Sequence, residues 1–136
     1  MRFLGIDHGN KRIGISISDK SNLMANPFLT IENKGTKKAI KDIKDIILKE
    51  EITDVVIGVP FSFAFEETGQ TKIVEKFIEE FKKSVIDIAL HLENEVLSTK
   101  EASQKLGKLK NKKAIIDQTA SCLILQSFLD KNYGKQ

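Results

Sequence analysis

Between Phe3 and Glu32 short apolar runs and an alternating stretch from Ile13 to Ile17 are separated by turn residues, and beyond Thr36 apolar positions recur mainly at helical spacing, broken by two further short apolar runs. Phe3-Leu4-Gly5-Ile6-Asp7-His8 is an apolar run that ends at a carboxylate, and a short turn with Gly9 and Asn10 follows. Ile13, Ile15 and Ile17 then alternate with Gly14, Ser16 and Ser18. That pattern predicts strand, tight turn, strand. Alternation puts Phe3, Gly5 and Asp7 on one side of the first strand and Leu4 and Ile6 on the other. Residues 21–27 read as a loop. Phe28 to Glu32 reads as a third strand, stopped by Asn33-Lys34-Gly35. Three strands on short connections predict an antiparallel meander.

Thr36 is placed to cap a helix whose apolar stripe is Ala39, Ile40, Ile43, Ile46 and Ile47. Lys37, Lys38, Lys41, Lys44 and Lys49 fall off that stripe, among Asp42, Asp45 and Glu50, and read as a solvated face. Ile52 to Pro60 is a nearly continuous β-branched run, the pattern of a strand buried on both faces. Phe61, Phe63 and Phe65 follow in a loop that either packs on itself or offers a stacking surface. Thr71 is a cap candidate for a second helix, with Ile73, Val74, Phe77, Ile78 and Phe81 on its buried side. A strand is expected from Val85 to Leu90, running on towards Glu93. A short helix is expected after Ser98 or Thr99, ended by Gly107. The last helix spans roughly Ala114 to Lys131, with Ile116, Ala120, Leu123, Ser127 and Asp130 along one line and Ile124 and Phe128 widening it. Asp117 lies in its first turn, beside Ala120, Ser121 and Ile124. The order βββ-α-β-α-β-α-α defines an α/β domain. Its expected form is a five-stranded mixed sheet, an antiparallel β1–β3 meander plus parallel strands, flanked by helices.

Length and charge narrow the class without choosing within it. A chain of 136 residues suits one domain with one core, so residues 1–136 are expected to form a single unit. The net charge of +3 permits a polyanionic partner and does not require one. The positive charge is almost all lysine, with arginine only at Arg2 and Arg12, so bidentate arginine readout of phosphates is scarce. One cysteine, Cys122, excludes an internal disulfide and a Cys-based zinc site. The first apolar run is too short for a signal peptide, and no run approaches the roughly 20 residues needed to span a bilayer. A cytoplasmic protein without a membrane partner is the expectation.

Three carboxylates stand at element ends rather than on helix faces: Asp7 after the first strand, Glu95 after the last, and Asp117 at the start of the last helix. Strand ends are where α/β sheets bind ligands. Three converging carboxylates can hold hard divalent cations of the Mg²⁺ or Mn²⁺ kind, which activate water and stabilise a leaving oxygen. Each also has a plainer reading. Asp7 suits a turn, Glu95 a charged surface, and Asp117 the positive end of a helix dipole. Lys105, Lys108, Lys110, Lys112 and Lys113 form the most concentrated basic segment, equally suited to solvent or to phosphates. The chain has no phosphate-cradling P-loop, no Gly-x-Ser-x-Gly elbow and no dinucleotide fingerprint.

Four blocks carry a resemblance to a known family. Residues Gly5 to Asp19 resemble the opening signature of the YqgF family, ribonuclease H-like proteins described as Holliday junction resolvases and pre-16S rRNA nucleases. Val56-Ile57-Gly58-Val59-Pro60 is similar to the family's strand into a Gly-Leu-Pro turn. Asn94-Glu95-Val96-Leu97-Ser98-Thr99 resembles its Asp-Glu-Arg-Leu-Ser-Thr block. Residues Asp117 to Gln126 resemble its Asp-x-x-Ala-x-x-x-Ile-Leu-Gln helix. The resemblance implies a ribonuclease H-like fold and a metal-dependent endonuclease, with Asp7, Glu95 and Asp117 as catalytic acids and metal ligands for Mg²⁺ or Mn²⁺. It implies nucleic acid as partner, either structured RNA in pre-ribosomal particles or branched DNA, with the chain a monomer or a homodimer. Lys11 and Arg12 match the family's Lys-Arg pair near substrate phosphates, and Ser98 and Thr99 match its hydroxyl pair. Lys110, Lys112 and Lys113 join them as expected nucleic-acid contacts. The chain departs from the family at Val96, where the arginine falls, at Asn94, where the aspartate falls, and in the phenylalanine-rich turn after Pro60. The Val96 departure motivates an alternative in which the chain is a nucleic-acid-binding ribosome-assembly factor with little or no cleavage.

Overall fold

The structure, a computed structural model, describes the backbone of residues 1–59, 69–94 and 112–134 and the side chains of residues 1–59, 71–94 and 119–133. In chain order the elements are β1 (Phe3–His8), β2 (Arg12–Ser18), β3 (Ala25–Glu32), α1 (Thr36–Lys49), β4 (Asp54–Val59), α2 (Gly69–Ser84), β5 (Ala89–Asn94) and α3 (Lys112–Leu129), which continues into a π-helical turn (Asp130–Gly134). The sheet has the order β3-β2-β1-β4-β5. β1–β2 and β2–β3 pair antiparallel, and β1–β4 and β4–β5 pair parallel, so the expected mixed sheet is present. The expected phenylalanine loop, the helix after Thr99 and the first part of the Lys-rich loop lie outside the described residues.

Element ends shift for physical reasons. β3 starts at Ala25 rather than Phe28, because an irregularity between Ile15 and Ser16 sets Pro27 opposite Ser16 and leaves Phe28 as the extra residue. β3 is an edge strand, which tolerates both a bulge and a proline. β5 starts at Ala89 rather than Val85, because the Val85 N–H still bonds the Phe81 carbonyl of α2 at 2.8 Å. Pairing resumes where the Ala89 N–H meets the Thr53 carbonyl at 3.2 Å. Thr36 is the first helical residue and not the cap. Gly35 caps α1 with φ 117°, a backbone region that disfavours side chains. Ile73, expected on the buried side of α2, is exposed.

The sheet has two unlike faces, and this asymmetry positions everything that follows. On one face Leu4 and Ile6 of β1, Ile13, Ile15 and Ile17 of β2, and Val55, Ile57 and Val59 of β4 pack with Ala39, Ile40, Ile43 and Ile47 of α1 and Val74, Phe77, Ile78 and Phe81 of α2. Burying each such side chain contributes about 1.5–3 kcal/mol, so this layer carries the stability of the fold. The other face is covered by α3 and is small and polar. It presents Phe3, Gly5 and Asp7, with Gly14 and Ser16 in register opposite Asp7 and Gly5. Its apolar part is a smaller cluster of Phe3, Val56, Ile124, Leu125 and Leu129. Among the described residues the buried positions of α3 are Ala120, Ser121, Ile124, Leu125 and Leu129, while Leu123 is half-buried and Asp130 exposed. The inward line is therefore turned from the one the sequence suggested.

Candidate active site

The site is built on β1, between two layers that hold it rigid. β1 has β2 on one side and β4 on the other, and from Phe3 to Ile6 every position is buried. Asp7 follows as a half-buried carboxylate on the α3 face, with Gly14 opposite it in register. Glycine there adds no side chain beside the carboxylate. The hairpin turn beyond is tight, since a Cβ on Gly9 would collide with the Arg12 carbonyl. Asn33, read from the sequence only as a stop signal, fixes that turn. Its Nδ2 donates to the Gly9 carbonyl at 2.8 Å, and its backbone N–H donates to the Lys11 carbonyl at 2.8 Å. Lys11 is exposed at the turn, and Arg12 opens β2 opposite Glu32. The other arginine, Arg2, donates to Glu50 Oε1 at 3.2 Å and to the Glu50 carbonyl at 3.1 Å, tying the chain start to the end of α1.

α3 is latched to the sheet by polar contacts at three heights. The Ser121 hydroxyl donates to the Gly5 carbonyl at 2.9 Å, a bond between residues 116 positions apart. Gln126 Oε1 accepts from the Ala25 N–H at 2.9 Å, and its Nε2 donates to the Leu23 carbonyl at 2.8 Å. The Ser127 hydroxyl and the Lys131 ammonium both donate to Glu93 Oε2, at 2.9 Å and 2.6 Å. Hydrogen bonds of this kind contribute about 1 kcal/mol each, more when charged. The helix runs opposite to β1. Tyr133 reaches Met1, Phe128 stacks on Phe3 with centroids 5.6 Å apart, and Ser121 meets Gly5. Asp117 is one turn before Ser121 in the same helix, and Asp7 is two residues beyond Gly5 in the strand.

The other expected site residues divide as follows. Lys112, Lys113 and Asp117 lie in the first turns of α3, with their side chains outside the described residues, as are Glu95, Ser98, Thr99 and Lys110. Glu95 directly follows Asn94, the last residue of β5. Among the described residues no three His, Cys, Asp or Glu side chains gather. The α1 lysines lie on the far side of the sheet from Asp7. Lys37, Lys41 and Lys44 share a groove of about 410 Å³ with Asp45 and Glu80, and Lys38 pairs with Asp42 at 2.9 Å. Nothing local marks Glu93, which stands between Leu92 and Asn94. The edge strand inverts the usual pattern, exposing Leu92 and burying Glu93 against α3.

His8 belongs to the opposite face from Asp7. Its ring stacks on Phe77 at 4.6 Å, and among the described residues its buried Nδ1 has no hydrogen-bond partner. Burial lowers the His8 pKa below its ordinary 6.5, partly offset by a backbone hydrogen bond that raises it. The folded protein therefore holds the neutral ring. Its contribution to stability is complete above the unfolded pKa near 6.5 and is lost as pH falls from there through the lower folded value. Urea denaturation between pH 7.5 and pH 5 is expected to show this loss in wild type and less of it in His8→Phe, and equal pH profiles would exclude the effect. Burial also raises the Cys122 thiol to about 11, so it stays protonated and inert at neutral pH.

A sheet of this order, with a carboxylate at the end of its central strand and a helix latched across its polar face, defines the ribonuclease H-like class. Solved structures share it. The RuvC of Thermus thermophilus in complex with Holliday junction substrate matches with TM-score 0.61 over 99% of this chain and 97% of that one, at 12% identity. The fowlpox virus Holliday junction resolvase matches with TM-score 0.55 over 96% and 99%, at 14% identity. The chain belongs to the family described as RuvX: Holliday junction resolvase, whose model matches residues 1–131. Relatives named "Putative pre-16S rRNA nuclease" include one from Endomicrobium trichonymphae, 36% identical with 95% of each chain covered, and one from Rickettsia conorii, 37% identical over 93% of this chain and 84% of the other. Membership places the chain among nucleases, hydrolases of phosphodiester bonds with nucleic acid as the partner class. Nucleases of this fold class depend on divalent metal. No described helix is long and apolar enough to cross a membrane.

Proposed function

We propose that residues 1–136 act as one cytoplasmic endonuclease domain that processes the 5′ end of precursor 16S rRNA during ribosome biogenesis, using Mg²⁺ or Mn²⁺. The observation that carries this reading is the place of Asp7. It is a half-buried carboxylate near the end of the central strand, on the face that α3 covers, with Gly14 opposite it in register. Asp7, Glu95 and Asp117 are the residues that would hold the metal. Three carboxylates are an all-oxygen donor set, which suits hard divalent ions. When bound, such ions activate water and stabilise the leaving oxygen of a phosphodiester. The chain's own share is placement. β1 fixes Asp7 between its two neighbours, Asn33 fixes the turn, and Lys11 and Arg12 bring positive charge to phosphates at the same strand end. Ser98, Thr99, Lys110, Lys112 and Lys113 are the other residues proposed to contact the nucleic acid.

The family description favours a second reading, resolution of a Holliday junction. A junction offers two symmetric strands and calls for two sites on a two-fold dimer, whereas rRNA trimming needs one. The deciding experiment offers precursor 16S rRNA and a four-way DNA junction to the purified protein with Mn²⁺ or Mg²⁺, alongside its mass in solution. Specific cleavage of the rRNA precursor by a monomer is the expected result. Paired symmetric cuts in the junction by a dimer would replace it with the second reading. Salt-sensitive binding of RNA with no cleavage of either substrate would leave an assembly factor, consistent with Val96 and Asn94.

A further inference from the structure

Beneath α3 lies a fully buried pair of hydroxyls that the proposed chemistry does not use. Ser16 on β2 and Ser121 on α3 have no solvent exposure. Ser16 Oγ lies 2.9 Å from Ser121 Oγ and 3.0 Å from the Ser121 carbonyl, and Ser121 Oγ donates to the Gly5 carbonyl at 2.9 Å. Three elements thus meet at one point, closely enough that a Cβ on Gly5 would crowd Ser16, Leu125 and Ser121 together. Every donor in this set is satisfied, and in only one register of the helix. Sliding α3 by one residue turns Ser121 by about 100° away from Gly5 and strands the buried hydroxyls.

We infer that Ser16 and Ser121 are positioning residues for the active site, fixing the height of α3 on β1 and with it the approach of Asp117 to Asp7. The inference rests on the metal-dependent reading above. Asp117 precedes Ser121 by one turn, a rise of about 6 Å. Asp7 follows Gly5 by two strand positions, about 6.6 Å in the matching direction. The height that Ser121 holds over Gly5 is therefore the height that the Asp117 backbone holds beside Asp7. Gln126 and Ser127 hold α3 to the Leu23–Ala25 segment and to β5, and among the described residues the rest of its contact to β1 is apolar packing, which tolerates small slides. The hydroxyl pair does not.

The test is calorimetric titration of Mn²⁺, without nucleic acid, into wild type, Ser16→Ala, Ser121→Ala and the double variant, with urea denaturation of each. Ser121→Ala removes the donor to the Gly5 carbonyl and leaves Ser16 only its bond to the Ser121 carbonyl, so its denaturation midpoint falls. The double variant removes both hydroxyls and still leaves the Gly5 carbonyl without the Ser121 donor, so its midpoint also stays below wild type. Under conditions where it is fully folded it is expected to bind Mn²⁺ about tenfold more weakly than wild type, the lower end of what lost support behind metal ligands costs. A folded double variant that binds Mn²⁺ as wild type does overturns the positioning role and leaves the metal reading intact. A wild type that binds no Mn²⁺ overturns both. Should the double variant fail to fold, Ser16→Ala decides, because it keeps the Ser121–Gly5 bond: weaker Mn²⁺ binding supports the inference and unchanged binding overturns it.

Discussion

Replacing Asp7 with asparagine is expected to lower metal-dependent cleavage by at least about 10²-fold, the scale on which single electrostatic groups act in water-excluded sites. The physical reason is that asparagine is nearly isosteric but neutral. It keeps the shape of the β1 terminus and removes the charge that would bind a divalent ion. Asp7 is half-buried near a strand end with Gly14 opposite it in register. Thermal unfolding should therefore differ little from wild type while turnover collapses. Measuring both on the same preparation separates loss of the site from loss of the fold. Full activity in Asp7→Asn would remove this residue from catalysis and return it to a turn role.

The second large effect is expected at Gly5. Alanine there would bring a Cβ into collision with the Ser16 hydroxyl, to 2.9 Å from Leu125 Cβ and to 3.2 Å from the Ser121 carbonyl. Leu125 Cβ and the Ser121 carbonyl belong to the helix framework and cannot swing aside like the end of a long side chain. The helix must lift, and the Ser121–Gly5 and Ser16–Ser121 bonds stretch with it. Overpacking of this kind costs about 1–3 kcal/mol, and breaking buried hydrogen bonds adds about 1–3 kcal/mol more. Gly5→Ala is thus expected to lose about 3 kcal/mol in urea denaturation, with cleavage falling further than stability because α3 carries Asp117. A change under about 0.5 kcal/mol, the range of ordinary surface substitutions, would show that α3 does not rest on Gly5.

The sequence made the central hairpin and its carboxylate legible because strand periodicity is a local property. Alternation from Phe3 to Asp7 and from Ile13 to Ser18 already sorted the residues that the structure places on the two faces. The stripe of α1 and the β-branched run of β4 were legible for the same reason. The limits of β3 and β5 were not. The bulge at Phe28 depends on the partner strand, and Val85 is held by α2 rather than by the sheet. Family resemblance supplied the grouping of Asp7, Glu95 and Asp117, which spacing alone could not choose over separate turn, surface and helix-dipole roles.

Ser16, Ser121 and Glu93 carried no signal of their contacts, and Asn33 read only as a stop. A serine opposite an isoleucine in an alternating strand looks like the solvated side, and a glutamate beside apolar residues at an edge looks exposed. Both are buried because α3 returns from the far end of the chain to cover that face, and it is small and polar only to admit the helix closely. By itself the sequence determined the local periods, the strand-end position of Asp7 and the small residues that share its face. Only the tertiary structure decided which helix lies on that face and at what height. That choice rests on contacts such as Ser121 to Gly5 across 116 positions and Gln126 to Leu23 across 103, which no local pattern encodes.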